Sequence, residues 1–220
     1  MKDEIPLGVH TSLDIQELLD KIGFENGLLI ETICSTENPD GSPHSAPIGV
    51  KRAGMLLSID KLFKDTITFE NLVRSGYILI NLLDDIETFY LATFSDLPRE
   101  EYDKSYSTRI PPLRRSNAFI EAELVNFRDR DNFVSVELSI SGILIRKMKP
   151  CFFTRCKHAV LESLIHATRV PVFRRIDPKE AGSLMKLILH YRDLVSRICP
   201  EEPYNRIMNG IVNRLRDTQI

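Results

Sequence analysis

A strict alternation of apolar and polar residues begins at Phe133, and it constrains the fold more than any other stretch of the chain. Its apolar positions are Val134, Val136, Leu138 and Ile140, with serines and a glutamate between them. This period of two predicts a strand that buries one face and exposes the other. Residues 119–127 form a second apolar run, and an RDRD stretch separates the two, so the pattern predicts a β-hairpin with one solvent face.

Four further strands are predicted upstream of this hairpin. Residues 28–35 and 44–52 flank an NPDG turn, where Pro39 suits the first central position and Gly41 permits a positive φ. Residues 55–59 and 77–83 are shorter apolar runs. Five or six strands with few helices between them favour an antiparallel barrel in a mainly β, α+β chain over a parallel sheet.

Helical patterns lie at both ends of the chain and inside the barrel region. A leading helix is predicted after Thr11, a second over residues 66–75 with Gly76 as its stop, and a short third over residues 87–95. Residues 96–112 are predicted as a polar surface loop, with a lid as the alternative. After Pro150 three helical stripes follow, which predicts a barrel domain over residues 1–148 and a helical region over residues 149–220.

The small net charge of −2 in 220 residues conceals an asymmetry along the chain. From Arg146 onward the sequence holds 15 Lys+Arg against 7 Asp+Glu, and the preceding part holds 14 against 24. A basic C-terminal part raises nucleic-acid binding as an alternative. The basic residues follow helical patterns without a nucleic-acid-binding motif, so a site for an anionic small molecule is favoured.

The four cysteines are Cys34, Cys151, Cys156 and Cys199, and none forms a closely spaced pair. The N-terminal residues contain no apolar run, and no later stretch is long enough to span a bilayer. These features predict reduced thiols in a cytoplasmic protein without a membrane partner. Cys151 and Cys156 with His158 are an alternative metal site, but a second pair at zinc spacing is lacking, so no metal is predicted.

The chemistry of the chain is expected at the start of the second helix. Neither a dinucleotide-binding glycine motif nor a phosphate-binding loop occurs. Instead an ammonium group and two hydroxyls cluster in residues 64–68, where the helix N-terminus favours an anion. Pro47 lacks an N–H group, so backbone groups of the strand around it are available to a planar ring. Helix capping by Thr66, a solvated Lys64 and an ordinary core strand are the alternatives.

Two sequence blocks carry a family resemblance. DGSPHSAPIGV, residues 40–50, and FKDTITFENLVRSGYILINLL, residues 63–83, resemble the flavin-reductase-like FMN-binding split-barrel proteins. RCKHAVLESLIHATR, residues 155–169, resembles the signature of an uncharacterised prokaryotic branch that adds C-terminal helices, some members of which are associated with tetrahydromethanopterin metabolism. The resemblance implies an antiparallel split β-barrel and a homodimer with one FMN per subunit near the interface.

The resemblance also implies the residues of the FMN site. Those expected along the ring are Ser45, Ala46, Pro47, Ile48 and Gly49, and those expected around the ribityl phosphate are Lys64, Asp65, Thr66, Thr68 and Asn71. Three residues of the helical region are candidates for an anionic substrate, with helix caps and packing as the alternative: Arg155, His166 and Arg169. His44 is a candidate proton donor, and no catalytic residue is assigned.

Two functions remain open on the sequence alone. The first is a flavin-dependent oxidoreductase that uses a small-molecule electron donor or acceptor, since the cofactor and not a side chain carries such chemistry. The second is a non-catalytic FMN-binding or sensing module with a protein partner, because no convincing acid or base accompanies the predicted site.

Overall fold

The computed structural model describes residues 12–146, 153–199 and 203–217. The chain divides into two compact units, Met1–Phe153 and Thr154–Ile220. The boundary that the sequence predicts, between residues 148 and 149, lies outside the described residues.

The first unit is a closed antiparallel barrel, as the sequence predicts. Its six strands are β1 (Leu29–Glu37), β2 (Pro43–Ala53), β3 (Leu56–Phe63), β4 (Tyr77–Leu82), β5 (Ala118–Asp129) and β6 (Phe133–Ile145). They follow the order β1-β2-β3-β6-β5-β4 around the barrel, and each neighbouring pair is antiparallel. The described residues of this unit also form three α-helices, α1 (Ser12–Lys21), α2 (Ile67–Ser75) and α3 (Ile86–Phe94), and a short 3-10 helix, Arg99–Glu101. Thr11, the predicted cap of the first, lies outside the described residues.

The alternation that predicts β6 holds only as far as a β-bulge. Val134, Val136 and Leu138 are buried in the barrel core. The register then shifts between the pairs Glu121↔Gly142 and Ala122↔Ile140. A bulge inserts one extra residue and so exchanges the faces of the strand. Before the bulge the core residues of β6 occupy even positions in the sequence. Beyond it they occupy odd positions, Ile143 and Ile145.

Caps at both ends fix the position of α2. The Thr66 hydroxyl accepts a hydrogen bond from the amide of Phe69 at 3.3 Å, and Gly76 ends the helix with a φ of +67°. A threonine N-cap satisfies one amide of the first turn, and only glycine adopts a positive φ without strain. The helix therefore begins and ends where the sequence predicts.

Residues 96–117, here called the cover segment, pack on the outer face of the barrel. Leu97, Tyr102 and Leu113 are buried there in one apolar cluster with Ile33 of β1. Asn81 of β4 anchors the segment, because its side chain accepts from the amide of Leu113 at 2.9 Å. The loop predicted over residues 96–112 has exposed positions, such as Glu100 and Lys104, and buried positions that help to cover the second face of β4.

The second unit contains the three predicted C-terminal helices: α4 (Arg155–Ile176), α5 (Pro178–Ile198) and α6 (Tyr204–Asp217). They share one buried apolar cluster that includes Val160, Ile188 and Met208. Asp177 caps α5 by accepting from the amides of Lys179 and Glu180. Within the described ranges, no helix has both the length and the apolar character that a membrane crossing requires.

The prediction of four reduced cysteines is wrong for two of them. Cys156 and Cys199 form a disulfide, with their Cα atoms 6.5 Å apart, although 43 residues separate them in sequence. Packing of α4 against the end of α5 creates this proximity, which sequence spacing does not reveal. Cys34 is free and buried in the barrel, where burial raises the pKa of its thiol to about 12. Cys151 lies outside the described residues.

Candidate functional site

A cavity of about 450 Å³ lies between β2 and the start of α2, and it is called the β2–α2 cavity below. Small-molecule and cofactor sites commonly have volumes of roughly 300–1,000 Å³. The cavity brings together the two sequence blocks that predict a ring site and an anion site. Its lining residues come from β2, β3, the start of α2 and α3.

The predicted ring strand forms one wall of the β2–α2 cavity. Ala46, Pro47, Ile48 and Gly49 all line it. Ser45 does not line the cavity, and its side chain is buried. Its hydroxyl lies 2.7 Å from that of Ser35 and 2.8 Å from that of Tyr102.

The N-terminus of α2 forms the opposite wall, through Thr66, Ile67 and Thr68. The Thr66 hydroxyl is engaged in the cap and also donates to the carbonyl of Phe63 at 2.7 Å. The Thr68 side chain is only 2% exposed, and among the described residues its hydroxyl has no hydrogen-bond partner. The amides of Ile67 and Thr68 likewise donate to no other described residue. The wall thus presents three uncommitted donors where the helix dipole favours an anion.

Three of the predicted phosphate residues do not line the cavity. The ammonium group of Lys64 forms an ion pair with Asp129, and Asp65 is exposed. Asn71 is buried and donates to Asn38 Oδ1 at 2.8 Å and to Thr36 Oγ1 at 3.2 Å, so its amide ties α2 to the end of β1.

Lys61 supplies the cation of the cavity, and sequence reasoning missed it. Its ammonium group lies 5.4 Å from the centre of the Phe133 ring and forms no ion pair with another described residue. The register of β3 shifts between Ile59 and Leu62. Such a bulge redirects a side chain, and nothing in the sequence marks its position.

Helix α3 contributes Ala92 and Thr93 to the lining of the cavity. The sequence predicts this helix but does not predict that it contributes to a binding site. His44, the candidate proton donor, also lines the cavity, and its Nδ1 atom lies 3.3 Å from Asp96 Oδ1. Its side chain is 14% exposed, whereas that of Asp96 is 83% exposed. A carboxylate in this position orients the imidazole ring.

A chain of buried hydroxyls lies behind the ring strand. It runs from Tyr102 through Ser45 and Ser35 to the Asn81 amide, with successive distances of 2.8, 2.7 and 3.0 Å. Burial raises the pKa of the Tyr102 hydroxyl, which therefore stays protonated at neutral pH. The chain fixes the cover segment to β2 and so gives the cavity wall a rigid backing.

The three candidate substrate residues lie on α4 in the helical unit. Arg155 and His166 are eleven positions apart, about 16 Å along a helix axis, so they do not form one cluster. His166 stacks on Tyr191 with ring centroids 6.2 Å apart, and its buried Nδ1 atom has no hydrogen-bond partner among the described residues. Arg169 is exposed. The described residues contain no group of His, Cys, Asp or Glu placed to hold a metal ion.

The chain is similar to solved structures of other proteins. The chain is 27% identical to an FMN-bound protein of the DUF447 family from Methanosarcina mazei, with a TM-score of 0.53 over 90% of this chain and 99% of that one. Its identity to the styrene monooxygenase flavin reductase from Pseudomonas putida is 12%, with a TM-score of 0.49 over 63% and 91%. Flavoredoxin from Methanosarcina acetivorans is 16% identical, with a TM-score of 0.46 over 56% and 74%.

A family model for the N-terminal domain of DUF447, a protein of unknown function, matches residues 30–147. The match begins in β1 and ends just after β6, so it spans the whole barrel and both walls of the β2–α2 cavity. Because it also covers more than half of the sequence, the chain belongs to the DUF447 family.

Proposed function

We propose that the protein binds FMN in the β2–α2 cavity and serves as a flavin-dependent oxidoreductase. The proposal that FMN binds rests on the β2–α2 cavity. Its lining combines an apolar strand with a helix N-terminus whose hydrogen-bond donors have no partner among the described residues. A planar ring with a phosphate tail needs those two surfaces in one site. The FMN-bound DUF447 protein from Methanosarcina mazei supports the same cofactor.

The residues of the cavity divide into two groups for this ligand. Ala46, Ile48 and Gly49 offer apolar and backbone surface to the ring. The Thr68 hydroxyl, the amides of Ile67 and Thr68, and the Lys61 ammonium group bind the phosphate. Bound FMN supplies hydride acceptance and electron transfer. The protein orients the ring and places the His44 imidazole, a candidate proton donor, in the cavity lining.

Binding is tested by titrating the purified chain with FMN. Saturable quenching of flavin fluorescence at one FMN per chain is expected, and at about a hundredfold excess over the Kd the cofactor should stabilise the protein by about 2.7 kcal/mol. Riboflavin, which has the ring but no phosphate, is the matched control and should bind more weakly. A melting temperature unchanged by FMN would exclude the proposal.

The protein functions in this proposal as a homodimer with the β2–α2 cavity near the interface. Phe63 and Ile67 line that cavity, yet they are 52% and 49% exposed in the single chain. Phe94, at the end of α3, is 77% exposed. Large apolar side chains exposed together are typical of surfaces that a partner covers.

Light scattering should therefore give twice the 25.2 kDa mass of one chain. Phe63→Lys and Ile67→Lys together place two charges on this surface and should shift the species to the mass of one chain. Val172→Lys, which changes an exposed apolar residue of α4, is the control. A wild-type mass of 25.2 kDa at micromolar concentration would contradict the dimer.

A non-catalytic FMN-binding module with a protein partner is the second candidate. It is favoured by the cavity lining, in which the described residues place only two ionisable side chains, His44 and Lys61. The two candidates differ in whether the bound flavin is reduced and reoxidised repeatedly. Anaerobic NADH or NADPH should reduce the bound flavin of an oxidoreductase rapidly, and added acceptor should reoxidise it over many cycles. Flavin that stays oxidised under both donors would favour the module.

A further inference from the structure

A second cavity, of about 400 Å³, lies between the β1–β2 turn and the cover segment. This turn–cover cavity shares no lining residue with the β2–α2 cavity, although the two meet along β2 at Pro43 and His44. It lies in the same compact unit and is large enough for a small organic ligand.

Most polar side chains of the turn–cover cavity already have partners inside the protein. The Tyr102 hydroxyl bonds Ser45, and Thr108 donates to the carbonyl of Ile110 at 2.8 Å. Asp40 accepts from both the amide and the hydroxyl of Ser42, at 3.0 and 2.6 Å. These groups are therefore not available to a ligand without breaking a bond.

The lining side chains that have no hydrogen-bond partner within the described protein can all donate a hydrogen bond. The side chains of Arg99 and Lys104 make no hydrogen bond or ion pair with another described residue, and neither does the Tyr106 hydroxyl, although the charge of Arg99 contributes to lowering the pKa of Asp40. Asp40 is the single acidic residue of the lining. Its bonds to Ser42 hold the pKa of its carboxyl below the usual value, so it is ionised at neutral pH. Two cations against one carboxylate leave the cavity with a positive charge that an anion complements.

The Tyr106 ring gives the cavity an apolar surface. It is partly exposed and packs edge-on against Phe119 with ring centroids 5.4 Å apart. The Arg146 guanidinium also lies 4.5 Å from the Tyr106 ring centre. Tyr102 lines the cavity too, but it is only 2% exposed and lies mostly beneath the surface. A ring fixed in the way of Tyr106 offers contact area to a planar ligand at little cost in conformational entropy.

We infer that the turn–cover cavity binds a small organic anion that carries a planar ring. Arg99 and Lys104 contact the anionic group, and Tyr106 contacts the ring. Carboxylates and phosphate monoesters share the required chemistry. The inference does not depend on FMN binding, because the two cavities are lined by different residues.

Calorimetric titration of the full chain, with and without saturating FMN, tests the inference. Benzoate and phenyl phosphate are the two anionic probes, and benzamide has the same kind of ring without a charge. We expect one of the anions to bind saturably whether or not FMN is present, and benzamide to bind about tenfold more weakly or not at all. The tighter of the two anions identifies the carboxylate or the phosphate as the preferred group.

The variant Arg99→Gln with Lys104→Gln should raise the Kd of that anion by about tenfold or more, since it removes both cations. Arg130→Gln with Lys186→Gln removes two exposed cations elsewhere and should leave the Kd unchanged. Thermal unfolding of both variants checks that each is folded. The inference is overturned if neither anion binds at about 10 mM, if FMN displaces the anion, or if the two double variants behave alike.

Discussion

Replacing Lys61 with glutamine and Thr68 with valine in one chain is expected to raise the Kd for FMN by about a hundredfold. Each change removes a group that the β2–α2 cavity presents to a phosphate, and hydrogen bonds to charged groups contribute roughly 1.5–3 kcal/mol each. Valine has nearly the shape of threonine, so the buried Thr68 site keeps its packing. Quenching of flavin fluorescence measures the Kd, and each single variant should contribute about tenfold.

Lys64→Gln is the matched control, because it removes the same charge three positions along the chain. Its ammonium group pairs with Asp129 and does not line the cavity, so the Kd for FMN should change by less than about threefold. An effect of Lys64→Gln as large as that of Lys61→Gln would place the phosphate on the side that the family resemblance implies. Equal riboflavin affinity in all variants would confirm that the lost contacts are to the phosphate.

Local sequence signals predicted the elements that build the site. Thr66 and Gly76 mark the ends of α2, and the NPDG turn sets the start of β2. Both are short-range effects of capping and turn chemistry, which act within a few residues of the chain. The sequence therefore predicts the strand from Ala46 to Gly49 and the helix start at Thr66 correctly as elements, but not that both line one cavity.

The side chains that complete the site depend on irregularities that no pattern marks. A bulge in β3 brings Lys61 to the cavity, and the one at Ser141 exchanges the faces of β6. Ser45 is buried outside the cavity lining, and its partner Tyr102 lies 57 residues away. Register and long-range contacts are set by packing of the whole barrel, so single-residue roles remained open.

The unforeseen disulfide bond is expected to dominate the stability of the helical unit. It closes a loop across a sequence separation of 43 residues, and the loss of chain entropy in the unfolded state predicts a stabilisation of about 4 kcal/mol. Both cysteines are buried in the apolar cluster of that unit, so Cys156→Ala with Cys199→Ala removes the bond without burying a new polar group. Denaturant unfolding followed by the helical circular dichroism signal should show the loss.

Reductant separates the contribution of the bond from that of packing. Treating the wild-type protein with a phosphine should lower the stability of the helical unit about as much as the double substitution, while the double variant should not respond. Cys34→Ala is the control, because it removes the free thiol and should retain the response to reductant. A wild-type protein that is insensitive to reductant would show that the thiols are reduced in solution. The helical unit would then depend on its apolar cluster alone, of which Val160, Ile188 and Met208 are part.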